Sequence, residues 1–245
     1  MTGGPLMRDR IIVALDQPDL DSALVCARSL VGHARWVKVG MTLYYREGPA
    51  AVAAMRDLGF DVFLDLKLHD IPHQVEGAAR AIGALGAGML TLHASGGADM
   101  MEAAVRGARA GAADAGMPAP AVIAVTVLTS MDAEALASVG VADSPADQVV
   151  GLAALARTAG VDGVVCSPQE AAEMRALLGP DALVVTPGVR PAGSESADQS
   201  RVATPAAALA AGASHIVVGR PITGATDPAI AFEKIVHDGQ ENADR

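Results

Sequence analysis

The feature that most constrains the fold is a repeating alternation of two segment types. Short runs of β-branched and aliphatic residues recur along the chain: "RIIVAL", "WVKVG", "DVFLDL", "MLTLH", "AVIAVTV", "GVVCS", "LVVTP" and "HIVVG". Each reads as a candidate strand, eight in all. Between them lie Ala- and Leu-rich segments of helical spacing, such as "DLDSALVCARSL", "GPAAVAAMRDLG" and "SPQEAAEMRALLG". Gly59, Gly88, Gly160 and Gly212 stand before strands, where helix-ending glycines belong. Eight strand–helix units in 245 residues predict an α/β fold, a (β/α)8 TIM barrel formed as a single domain over 1–245. Short flexible ends are expected at about 1–9 and 238–245. A doubly wound open sheet is the rival topology. "GALGAG" lies after a helix and before a strand, the reverse of a dinucleotide fingerprint, and is set aside. The segment 187–205, "PGVRPAGSESADQSRVATP", is the one long irregular connection, of the kind that forms lids and binding loops.

In a barrel of this type, functional groups collect at the C-terminal ends of the strands. The polar exceptions to the apolar pattern fall there. Asp16 ends the first strand, Lys38 lies near the end of the second, and Asp65 and Lys67 end the third. Thr126 and Thr129 follow the fifth, Thr186 and Gly188 the seventh, and Gly219 and Arg220 the eighth. Residues two apart share a strand face. Val62, Leu64, Leu66 and Leu68 should therefore pack against the helices, while Asp65 and Lys67 point into the barrel mouth. Asp70 lies past the strand, before Ile71 and Pro72, where it need not face its own barrel and is placed to reach a neighbouring subunit. A structural ion pair closing the barrel is one reading of these charges. A network tuned for proton transfer is the other, and five charged residues on three adjacent strands favour it. The run "VVGRPI" offers backbone N–H groups and a cation to an anion at the eighth strand, or else is an ordinary turn with a surface Arg. His69 and His93 have no partner at ligand spacing, so hydrogen-bonded structural roles are expected and no metal site.

Composition narrows the function classes. Hydrophobic residues make up 51% and charged residues 19%, enough apolar material for a sizeable core. Aromatics are only 2% and the net charge is -10, which argues against nucleic-acid partners. Cys26 and Cys166 sit in apolar surroundings and read as two buried thiols, not as a disulfide framework. "MTGGPLMRDR" lacks the apolar stretch of a signal peptide, and no apolar run approaches the roughly 20 residues that span a bilayer. A soluble, cytoplasmic protein without membrane partners is expected.

"DLKLHDIP", together with "VALD", "VKVG", "VLTS", "TPGVRP", "DQ" and "VVGRP", resembles the orotidine 5'-phosphate decarboxylase family, in order, from about Arg10 to Lys234. The D-x-K-x-x-D run is shared by a wider superfamily that includes 3-keto-gulonate 6-phosphate decarboxylase and hexulose-phosphate synthase. Those magnesium-dependent relatives typically carry an acid at the second-strand position where this chain has Lys38. The resemblance therefore implies the metal-free decarboxylase, with no cofactor, acting on orotidine 5'-phosphate in pyrimidine biosynthesis. By the same resemblance, Lys67 would be the proton donor and Asp65 would sit beside the substrate carboxylate. Asp70 would complete the network from the partner subunit of a homodimer. Asp16 and Lys38 would contact the ribose hydroxyls and order the charges. Thr129, or a neighbour, would contact the pyrimidine. Gln199, Gly219 and Arg220 would hold the phosphate, with Arg190 at the same end. The family usually reads "DIPNT" where this chain reads "DIPHQ", so His73 and Gln74 stand in for Asn and Thr. Gln74 still offers an acceptor and two donors for a substrate contact. A magnesium-dependent sugar-phosphate lyase or aldolase, and a catalytically silent nucleotide-binding barrel, are the competing readings.

Overall fold

The computed structural model describes residues 6–190 and 203–241. Eight parallel strands close into a barrel in sequence order. They are β1 (Ile11–Leu15), β2 (Trp36–Gly40), β3 (Asp61–Leu68), β4 (Met89–His93), β5 (Ala121–Val125), β6 (Gly163–Val165), β7 (Leu183–Thr186) and β8 (His215–Val218). Closure is made by β1, whose Val13 stands in register with Val37 on one side and Val218 on the other. The expected barrel is borne out, and each quoted apolar run contains its strand except the third, where β3 continues two residues past "DVFLDL" to Leu68.

Side-chain alternation sorts the strand residues into two apolar layers. Ile12, Trp36, Phe63, Met89, Ile123 and Val185 fill the barrel interior. Residues of opposite parity, such as Ile11, Val13, Val37, Val62, Leu64 and Leu90, join the helices in the larger outer core. Val62, Leu64 and Leu66 are buried there, and Leu68 packs against the same layer, as the two-residue period predicts.

Helix boundaries follow local chemistry. Asp19 caps the helix Leu20–Leu30 by accepting from the Ser22 N–H at 2.9 Å, and Ser144 and Thr204 cap Pro145–Thr158 and Pro205–Ala210 in the same way. Gly59, Gly160 and Gly212 take positive φ before their strands, as expected of helix-ending glycines. Gly88 does not. The left-handed residue of that connection is Gly86, with φ 71°. Gly88 is required for a different reason: a Cβ there would lie 2.7 Å from the Trp36 ring. Of the ends expected to be flexible, Met7–Arg10 forms a 3-10 turn and the last helix, Pro228–Glu241, continues to the limit of the described residues. Residues 1–5 and 242–245 lie outside them.

Candidate active site

Register brings the strand-end charges to one height at the C-terminal mouth. Ala14 of β1 pairs with Lys38 of β2, and Gly40 of β2 with Asp65 of β3. The Lys38 ammonium donates to Asp16 Oδ1 at 2.8 Å and lies 3.7 Å from Asp65 Oδ2. The Lys67 ammonium donates to Asp65 Oδ1 at 2.8 Å. Four charges thus alternate in sign across three strands. Glycine at position 40 leaves room for this pair, since a Cβ there would stand 2.9 Å from Lys38 Nζ and 3.1 Å from Asp16 Oδ1.

Asp65 is the buried centre of this array, with 13% of its side chain exposed. Burial alone would raise its carboxyl pKa. Lys38, Lys67 and the hydrogen bonds from Lys67 and Thr91 outweigh burial and hold Asp65 below the usual carboxylate range. The aspartate is therefore ionised at neutral pH, as a strong partner for both lysines.

β3 is less regular here than its sequence suggests. Its register against β4 jumps from Leu64↔Leu90 to Leu68↔Leu92, a bulge. Within it, Lys67 has φ 51° and is the one non-glycine residue with positive φ among the described residues. That conformation costs a non-glycine residue roughly 1–2 kcal/mol, and such strain concentrates where a side chain must be aimed. Thr91 of β4, fully buried, spans the bulge. Its hydroxyl accepts from the Lys67 backbone N–H and donates to Asp65 Oδ1, both at 2.9 Å. Neither Thr91 nor Gly40 stood out in the sequence. The only signal for Thr91 was a hydroxyl at an inward position of an otherwise apolar strand.

The array lines one wall of a cavity of about 310 Å³. Asp16, Lys38, Asp65 and Lys67 stand on one side, and Arg190, Gly219 and Arg220 also line it. The floor and remaining walls are apolar, including Phe63, Val125, Val165 and Val217, and Thr129 and Cys166 contribute as well. Arg190 N–H donates to Ala203 O at 3.0 Å. A charged wall, an apolar slot and two guanidinium-bearing positions suit a flat, partly apolar ligand with an anionic tail.

Other expected site residues lie elsewhere. Asp70 is exposed and accepts from the Ile71 N–H at 2.6 Å. Gln74 is exposed on the helix Pro72–Gly83, and neither lines this chain's cavity. Gln199 lies outside the described residues. Thr126 donates to Val165 O at 3.1 Å and Thr186 is fully buried in β7; neither lines the cavity. His69 and His93 pair beside the mouth with ring centroids 5.4 Å apart. Burial, and next the neighbouring His69, lower the His93 pKa and favour the neutral ring. Cys26 and Cys166 are buried thiols that form no disulfide, as expected. No cluster of three metal-ligating side chains occurs among the described residues, and no helix there is long and apolar enough to cross a membrane.

A closed (β/α)8 barrel whose mouth holds a cavity lined by an acid–lysine array, two arginines and apolar side chains defines a class of barrel suited to small anionic ligands. Comparison with known proteins narrows that class. Residues 9–235 match the family described as Orotidine 5'-phosphate decarboxylase / HUMPS. The orotidine 5'-phosphate decarboxylase of Anaeromyxobacter sp. (strain K) is 55% identical over 227 residues, 93% of this chain and 96% of that protein. The one from Moorella thermoacetica is 52% identical over 229 residues, covering 93% and 91%. The crystal structure of orotidine 5'-phosphate decarboxylase from Lactobacillus acidophilus superposes with a TM-score of 0.83 at 39% identity, covering 94% of this chain and 99% of the other. The chain belongs to the orotidine 5'-phosphate decarboxylase / HUMPS family.

Proposed function

We propose that this protein decarboxylates orotidine 5'-phosphate to uridine 5'-phosphate in pyrimidine biosynthesis, without a metal or other cofactor. The observation that carries this reading is the Lys67 ammonium, held 2.8 Å from Asp65 at the wall of a cavity that Arg190 and Arg220 also line. Breaking the bond between C6 and the carboxylate releases CO2 and leaves an electron pair in an sp2 orbital of C6. The ring π-system cannot delocalise that pair directly. Stabilisation must come from a fixed positive charge at C6, and Lys67 supplies one. It then gives its proton to C6, leaving a neutral amine that regains a proton from solvent. Asp65 favours the charged form of Lys67 and stands beside the departing carboxylate. Asp16 and Lys38 contact the ribose hydroxyls, and Thr129 the pyrimidine. Gln199, Gly219, Arg190 and Arg220 hold the phosphate, which supplies binding energy remote from the bond that breaks.

Lys38 separates this reading from a magnesium-dependent one. It already places a cation 3.7 Å from Asp65 Oδ2, where a divalent ion would have to approach. The exposed strip Asp70–Gln74 supports a second part of the proposal. The chain acts as a single-domain, cytoplasmic homodimer, and Asp70, with Gln74 on the same strip, reaches the partner's site. Loss of the substrate's ultraviolet absorbance on mixing with protein in excess chelator tests the activity. Turnover is expected. Absence of turnover, restored by magnesium, would favour the sugar-phosphate chemistry instead.

A further inference from the structure

We propose that Thr91 is a positioning residue for the decarboxylation, acting through the backbone of Lys67 and the carboxylate of Asp65. The inference rests on the decarboxylase reading above and extends it to a residue of the neighbouring strand that does not itself line the cavity. Between Leu64 and Leu68, β3 advances four residues while β4 advances only two, so the regular ladder is interrupted where Asp65 and Lys67 sit. A buried backbone N–H left by such a break needs a partner. Thr91 provides it with a side chain: its hydroxyl oxygen accepts from Lys67 N–H at 2.9 Å. The same hydroxyl has one proton to donate, and it goes to Asp65 Oδ1 at 2.9 Å.

Two consequences follow from that single oxygen. First, Lys67 is secured in its left-handed conformation, φ 51°, which a lysine does not adopt unaided. Its ammonium is thereby aimed at Asp65 Oδ1 rather than along the strand. Second, Oδ1 receives both the Lys67 ammonium and the Thr91 hydroxyl, which fixes the carboxylate plane. Oδ2 is then turned toward Lys38. Thr91 is fully buried and does not line the cavity, so it orients the reacting groups without meeting the substrate.

The test is a pair of substitutions read by kcat, KM and product affinity. Thr91→Val keeps the shape and removes the hydroxyl. Thr91→Ser keeps the hydroxyl and removes the methyl. The valine variant is expected to lose roughly 10- to 100-fold in kcat, the worth of a hydrogen bond to a charged group, with uridine 5'-phosphate affinity within about threefold of the parent. The serine variant is expected to stay within about threefold of the parent in both. A purely structural threonine would instead lower the fraction of folded protein, leaving kcat per binding site unchanged. If the valine protein does not accumulate, Thr91→Ala carries the same expectation. Wild-type kcat in the valine or alanine variant, or equal kcat losses in valine and serine, would overturn the proposal. Failure of the parent to turn over orotidine 5'-phosphate would instead overturn the reading on which it rests.

Discussion

The N-terminal end of the barrel, opposite the site, contains a titratable group whose cost can be worked out. His215 opens β8, where it meets Trp36 edge-on at 5.8 Å and its Nδ1 is buried without a hydrogen-bond partner. Burial first, then the Arg10 and Arg35 guanidinium groups, lower its pKa from 6.5 to about 4. The unfolded chain therefore binds this proton more tightly than the native barrel does. The native state bears no penalty above pH 6.5 or so, and loses stability as pH falls through the window down to about 4. Each pH unit inside the window costs about 1.4 kcal/mol, for about 3 kcal/mol in all and about 2 kcal/mol by pH 5. His215→Leu removes the titration while keeping an apolar group against Trp36. Urea unfolding followed by circular dichroism from pH 7 to 4.5 should show a shallower fall in the variant, the gap widening by about 2 kcal/mol at pH 5. Carboxylates titrate equally in both proteins and cancel in the difference. Parallel stability curves over that window would refute the assignment.

Three further outcomes bear on the site. Lys67→Ala should lower kcat by about a thousandfold or more while uridine 5'-phosphate binding stays measurable, because charge stabilisation and the proton are both lost; near-normal turnover would remove the proposed donor. Arg220→Ala should raise KM for orotidine 5'-phosphate by about 10- to 100-fold, with little change for the nucleoside lacking phosphate; unchanged discrimination between the two in steady-state assays would refute the phosphate role. Mixing inactive Lys67→Ala and Asp70→Ala proteins under subunit exchange should restore about a quarter of parental activity, since half of the dimers would be hybrids with one intact site; no recovery in the exchanged sample would deny the shared site.

Much of this architecture was legible because period-two burial and helix punctuation are local properties. The eight apolar runs each became a strand, and Val62, Leu64 and Leu66 faced the helices as their spacing required. The charges of Asp16, Lys38, Asp65 and Lys67 were conspicuous for the same reason: each interrupts an apolar run at its C-terminal end. What the pattern hid depends on contacts between strands. Nothing in "DVFLDLKL" marks the bulge, because a two-residue slip of β3 against β4 is decided by both strands together. Thr91 was missed with it, as its role exists only opposite that bulge. Gly88 was assigned to a helix end when its constraint is the Trp36 ring, a residue more than fifty positions earlier.

The charges also have to be compatible with burial before they can do chemistry. Asp16, Lys38, Asp65 and Lys67 alternate at contacts of 2.8, 3.7 and 2.8 Å, so the array within one chain is neutral and each inner charge has an opposite neighbour on either side. That balance lets Asp65 stay ionised with only 13% of its side chain exposed. On the proposed reading, the partner's Asp70 and the substrate carboxylate then add two negative charges near Asp65 with no further cation beside them. Departure of CO2 moves the substrate's charge from the carboxylate to C6, toward the Lys67 ammonium, and protonation cancels it. Interactions that strengthen along this path lower the barrier, whereas equal attraction to both states would not. A threonine that fixes where the lysine and the aspartate point would act on that difference while leaving affinity for the product almost untouched.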